Sequence, residues 1–193
     1  KYNNVFKNKD LKINHVNNIS YIMQNIDQEE MKEEHMLNDN WNMYYHLPDD
    51  KNWDLKSYKN ISSINSLSSL IAINEKMPEK IVKHCMLFIM RKNITPMWED
   101  KQNRSGGCFS FKVVNKFVHP VWKKLLYMLC GETLCKKTEH SELLNGITIS
   151  PKKNFCIIKV WLKDCSIQDP TILSEIENLS TQGCLFKKHA PEF

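Results

Sequence analysis

The sequence predicts an α+β fold in which an antiparallel sheet carries helices on one face and leaves its other face able to take a ligand. Three observations carry that expectation. From Trp41 onward, short β-branched and aromatic runs alternate with three segments of helical periodicity. One run, Phe155 to Leu162, alternates cleanly, with Cys156, Ile158, Val160 and Leu162 on one side and Phe155, Ile157, Lys159 and Trp161 on the other. The first side is ordinary core; a lysine beside a tryptophan on the second suits a surface that stacks on something or meets negative charge. Finally, 193 residues with 41% hydrophobic and 25% charged side chains fit one folded core better than two.

Taken in order, residues 1–39 are rich in Asn, Lys and acidic groups, including the run from Gln28 to Glu34, and are expected to form a flexible polar arm. Residues 40–193 are expected to form the folded domain. A helix is expected from about Ser66 to Asn74, with Leu67, Leu70 and Ile71 as its apolar side. His84 and Cys85 read as strand. Gly106-Gly107 reads as a hairpin turn, followed by a strand in which Phe109, Phe111 and Val113 oppose Cys108, Ser110 and Lys112. A second helix is expected from Pro120, which suits a first helical position, to Cys130, with Gly131 as its C-cap and Trp122, Leu125, Leu126 and Leu129 on one face. A third starts at Asp169-Pro170 and buries Ile172, Ile176 and Leu179.

A net charge of +5 suits an anionic ligand but falls short of the basic stripe expected of a protein that grips duplex DNA. The seven cysteines form an odd set without CxxC spacing and read as reduced thiols of the cytosol or nucleus. Cys130, Cys135 and His140 lack the spacing and the fourth ligand of a structural zinc site. No apolar run approaches the roughly 20 residues that span a bilayer. No catalytic constellation is evident, and no cofactor is expected.

Two of the five tryptophans stand in polar, turn-forming contexts. Trp53 follows Leu47-Pro48-Asp49-Asp50-Lys51-Asn52. Trp98 follows Thr95-Pro96-Met97 and precedes Glu99-Asp100. A loop tryptophan is either half-buried packing or a recognition residue, and an adjoining carboxylate narrows the choice. A 7-methylated guanine is cationic, so two indole faces could hold it by stacking plus a cation–π attraction of roughly 0.5 to 2 kcal/mol. A carboxylate could accept both N–H groups of its Watson–Crick edge.

The segment Ile94-Thr95-Pro96-Met97-Trp98-Glu99-Asp100, with Asn103 and Gly106-Gly107, resembles the signature of the eukaryotic translation initiation factor 4E family. Weaker matches flank it in the right order: Trp41 to Tyr45 and Trp53, then Trp122, Leu125, Leu126 and Gly131-Glu132, then Gly146 and Trp161. The resemblance spans roughly His35 to His189. It implies a curved antiparallel sheet backed by three helices on its convex face, with a site for the messenger RNA cap on its concave face. It implies that Trp53 and Trp98 sandwich the base, Glu99 reads its edge and Trp161 meets the methyl group. Where the family has an arginine after the double glycine, this chain has Cys108. Lys152 falls on a second phosphate-binding position, Ile157 stands where the family has a lysine, and Lys159 and Lys153 are the candidates to replace it.

The resemblance also implies a partner site formed by His35, Leu67, Ile71, Lys123 and Lys124. There the family receives a short helical peptide from the scaffold factor 4G or from competing repressors. Ile71 stands for a family tryptophan, and lysines stand at second-helix positions that include a glutamate, which makes an ordinary scaffold peptide a poor fit. Expected partners are therefore capped messenger RNA and a scaffold-like or repressor peptide, with no membrane and no DNA. Alternatives are a cap-binding repressor that does not recruit the usual scaffold and a general single-stranded RNA-binding module. An enzyme that hydrolyses caps with metal would find acidic pairs at Glu29, Glu30, Glu33 and Glu34, but no glycine loop precedes them.

Overall fold

The computed structural model describes residues 35–47 and 50–191. Its strands are β1 (Met36–His46), β2 (Lys59–Ser66), β3 (Met86–Arg91), β4 (Gly107–Val114), β5 (Leu144–Pro151), β6 (Phe155–Leu162) and β7 (Leu185–Lys188). Its α-helices are α1 (Leu67–Lys76), α2 (Glu79–His84) and α3 (Asn115–Cys130). The strands form one curved, antiparallel sheet in the order β2-β1-β3-β5-β6-β4-β7, backed by the helices. No helix among the described residues is long and apolar enough to cross a membrane.

Alternation along the strands divides the sheet chemically. On the helix side, Trp41 and Met43 of β1, Leu87 and Ile89 of β3, Phe109 and Phe111 of β4, and Ile158 and Val160 of β6 join one large core with Trp122 of α3. On the other side lies a smaller aromatic cluster of Phe88, Met90, Ile94 and Trp161, flanked by Tyr44, Tyr58, Met86 and Trp98. Both faces of β6 stand where their alternation placed them.

Pairing starts upstream of the expected boundary between residues 39 and 40. β1 enters the sheet at Met36, and the Leu67 N–H donates to the His35 carbonyl at 2.8 Å. The polar side chains there hid a strand whose stability comes from two neighbours, β2 and β3. The acidic run 28–34 lies outside the described residues.

Helix α1 is capped by Ser66, whose hydroxyl accepts the Ser69 N–H while Ser69 reciprocates. Its buried side is Leu70, Ile73 and Asn74, not Leu67, Leu70 and Ile71. Both sets obey helical spacing; the observed one puts Leu70 and Ile73 into the core, and fully buried Asn74 donates to the Lys123 carbonyl at 3.1 Å. Leu67 and Ile71 are left 43% exposed. Helix α2 was not anticipated, since six residues are too few to show a period. It takes His84 out of the strand expected there, and Cys85 caps it.

Helix α3 begins five residues before Pro120. Proline deprives the Lys116 carbonyl of its partner, a loss tolerated on the exposed side of the second turn. Gly131 is its C-cap, but the left-handed residue is Glu132, at φ 56°. The helix expected after Asp169 is a single 3-10 turn, Pro170–Ile172, with Asp169 accepting the Thr171 N–H. Beyond it the backbone pairs with residues 134–136 through Ser174 to Leu134 and Lys136 to Ile172, so no helical ladder forms. Ile176 and Leu179 are still buried. Gly106-Gly107 is no hairpin turn either: a Cβ on Gly106 would lie 1.9 Å from the Leu162 carbonyl oxygen, so glycine permits β4 to approach β6.

Candidate functional site

The loop 92–106 carries Trp98 on a scaffold of polar side chains. Fully buried Asn103 donates to the carbonyls of Thr95 and Met97 at 2.9 and 2.8 Å, holding the turn before the tryptophan. Asp100 accepts the Thr95 N–H and hydroxyl at 2.8 and 2.7 Å and the Gln102 N–H at 2.8 Å. Burial opposes ionisation of this carboxyl, yet those hydrogen bonds outweigh it and hold Asp100 below the ordinary aspartate range. Asp100 is thus occupied in shaping the loop, while neighbouring Glu99 lines the cleft.

The loop between β1 and β2 carries Trp53. Asp54 caps the 3-10 turn Leu55–Ser57 and accepts from Asn52, whose carbonyl receives a 2.8 Å hydrogen bond from His46 Nε2. The His46 ring lies flat against Trp53, centroids 4.2 Å apart and planes within 3°. Trp53 remains 50% exposed.

Trp53 and Trp98 border one cleft of about 640 Å³ on the sheet face away from the helices. Its floor and walls include Tyr58, Phe88, Glu99, Thr148, Lys159 and Trp161. Burial, and then the negative charge of Glu99, push the Tyr58 hydroxyl up to about 12, so it stays protonated. Thr148 Oγ1 and Trp161 Nε1 are buried without hydrogen-bond partners among the described residues, which leaves polar capacity at the base of the cleft. A second depression, of about 560 Å³, adjoins Arg91. That guanidinium is already committed to Asp39 and to the carbonyls of Leu144 and Ser141, so the site has less to offer a ligand.

Trp53, Trp98, Glu99, Trp161 and Lys159 are therefore brought together. Lys152 and Lys153 are not: they sit exposed on the turn between β5 and β6, outside the cleft lining. On the helical side, His35, Leu67 and Ile71 are exposed, Lys124 is exposed, and Lys123 is paired with Glu75 at 2.7 Å. Glu75 also accepts from Tyr127 at 3.0 Å.

Three residues outside the cleft lining but packed against its tryptophans escaped the sequence reading. His46 could have been found by alternation from Trp41, which puts Tyr44 and His46 on the face opposite the core. His189 and Lys187 gave no local signal. His189 is stacked on Trp98 at 5.5 Å and tilted against Trp161 at 4.7 Å, and its Nδ1 donates to the Asn103 carbonyl at 2.7 Å. Burial lowers its pKa more than that bond raises it, which favours the neutral ring. Lys187 and Lys159 place their ammonium groups 5.2 and 5.6 Å from the centre of the Trp98 ring.

Fold and site together define an α+β binding protein with an aromatic, partly cationic cleft on the open face of its sheet. Residues 36–189 match the family model described as eukaryotic initiation factor 4E, and the chain belongs to that family. It is 29% identical over 151 residues to the eukaryotic translation initiation factor 4E of Candida albicans, covering 72% of this chain and 69% of that protein. It is 31% identical over 113 residues to the factor 4E homolog of Acanthamoeba polyphaga mimivirus, covering 51% of this chain and 42% of that protein. Among solved structures, schistosome eIF4E complexed with m7GpppG and 4E-BP superposes with a TM-score of 0.63 at 22% identity, covering 70% of this chain and 75% of that one. C. elegans eIF4E-3 with the 4E-binding protein Mextli and a cap analog gives a TM-score of 0.62 at 20% identity, covering 72% and 80%.

Proposed function

We propose that this chain binds the 7-methylguanosine cap of messenger RNA in support of translation initiation, stacking the methylated base between Trp53 and Trp98. The observation that carries this reading is a single cleft bounded by both tryptophans with Glu99 on its wall. The base enters as a cation, favoured by two electron-rich indole faces. Glu99 accepts the two N–H groups of the guanine edge, and Trp161 at the floor meets the methyl group. Lys159 faces the phosphates, with Lys152 and Lys153 on the adjoining turn available to groups farther out. The schistosome and C. elegans proteins of the same fold were solved with m7GpppG and with a cap analog, which supports the reading. The chemistry is binding, not turnover.

The test is a titration followed by tryptophan fluorescence. 7-Methyl-GTP quenches the emission, and GTP, whose base carries no charge, binds at least tenfold more weakly, a difference of about 1.4 kcal/mol. Equal affinity for the two nucleotides ends the cap reading. Competition by uncapped single-stranded RNA as effective as that of the cap analogue would instead indicate a general RNA-stacking module.

The helical face favours a second reading of the physiological role, a cap-bound repressor that does not engage the usual scaffold. Ile71 is exposed and lacks an indole N–H to donate across an interface. Lys124 is exposed and unfavourable to a basic peptide, while Lys123 is already neutralised by Glu75. In calorimetry an ordinary basic scaffold peptide binds at least tenfold more weakly to this chain than to the double variant Ile71→Trp, Lys124→Glu, with cap binding equal in both. Tight binding of that peptide to the unmodified protein refutes this.

A further inference from the structure

We infer that Lys187 on β7, outside the cleft lining but with its ammonium beside Trp98, is a further phosphate-binding cation and that it makes the phosphates a requirement for tight binding; this rests on the cap reading above. In the sheet, Cys108 of β4 stands directly opposite Trp161 of β6 on one side and Lys187 of β7 on the other. Directly opposed residues of antiparallel strands share a face, so Trp161, Cys108 and Lys187 form one row across the sheet. One step along, Ser110 is opposite Lys159 and Leu185. Lys187 thus stands directly opposite the buried Cys108 and Lys159 on its diagonal, and both ammonium groups converge on Trp98.

An edge strand often carries lysine to discourage further pairing. That accounts for Lys188. It does not account for Lys187, whose ammonium lies over an indole 5.2 Å away on the ligand side. Such a charge acts in two directions. It repels a cationic base that arrives alone, and it attracts the triphosphate of a base that brings its own negative charge. An ammonium 5.2 Å from the Trp98 ring centre is close enough to meet the phosphates of a base stacked on that ring.

Lys187 is exposed, so removing it leaves the core untouched. The experiment measures affinities of wild type, Lys187→Ala and Lys187→Arg for 7-methyl-GTP and for 7-methylguanosine, with thermal midpoints as a check on folding. Lys187→Ala loses about tenfold for 7-methyl-GTP, binds 7-methylguanosine as tightly as wild type or more tightly, and melts at an unchanged temperature; Lys187→Arg keeps the wild-type preference. Equal losses for both ligands, or no loss for either, overturn the proposal while leaving the cap reading intact. A wild-type chain that ignores 7-methyl-GTP overturns the cap reading and this proposal with it.

Discussion

Glu99→Gln lowers affinity for 7-methyl-GTP by about 2 to 5 kcal/mol, roughly 30- to 4,000-fold. The carboxylate would accept two N–H groups in charge-assisted bonds that strengthen as the base displaces water. An amide loses the charge and also turns an NH2 donor toward a donor edge, leaving a clash where there was a pair. Asp100→Asn is the control, because the neighbouring carboxylate is spent on Thr95 and Gln102. That variant lowers the thermal midpoint by loosening the loop and costs less affinity. The assignment is measured by isothermal titration of both variants; a neutral Glu99→Gln beside a damaging Asp100→Asn reverses it.

Trp53→Ala removes one face of the sandwich, with an expected loss of about 2 to 4 kcal/mol, combining base stacking with the cation–π attraction. Trp53 is the cleaner of the two tryptophans to test. It is half exposed, and its ring packs on His46 outside the main core, so the fold does not depend on it. Trp98 touches His189, which in turn touches Trp161, and its removal would disturb the floor of the cleft as well as its wall. Trp53→Phe keeps a smaller face and an intermediate affinity. A Trp53→Ala protein that melts normally and binds 7-methyl-GTP as wild type does would show that the base is not held between these two rings.

By itself the sequence determined what depends on local pattern. Alternation in Phe155–Leu162 placed four side chains in the core and put Lys159 and Trp161 together on the other face, because a strand has only two faces and apolar burial chooses between them. The Trp98-Glu99-Asp100 run marked a loop that presents an indole beside a carboxylate. Helical spacing located α1 and most of α3.

Tertiary structure decided wherever two local solutions were nearly equal in free energy. Apolar spacing after Asp169 suited a helix, but the segment's backbone groups found partners at residues 134–136, and those bonds replaced the helical ladder. On α1 the buried face was set by the packing of Leu70 and Ile73 in the core, with Asn74 bonded to the Lys123 carbonyl, which left Leu67 and Ile71 exposed. The histidines stacked on Trp53 and Trp98 come from β1 and from the segment after β7, one near its tryptophan in sequence and one 91 positions away. Lys187 reaches Trp98 only because β7 pairs with β4, which no period in the chain encodes. A sequence states which side chains can recognise a charged, stacked ligand; pairing between distant strands sets how many of them face it at once, since long-range contacts depend on the whole fold's closure and not on any segment's preference.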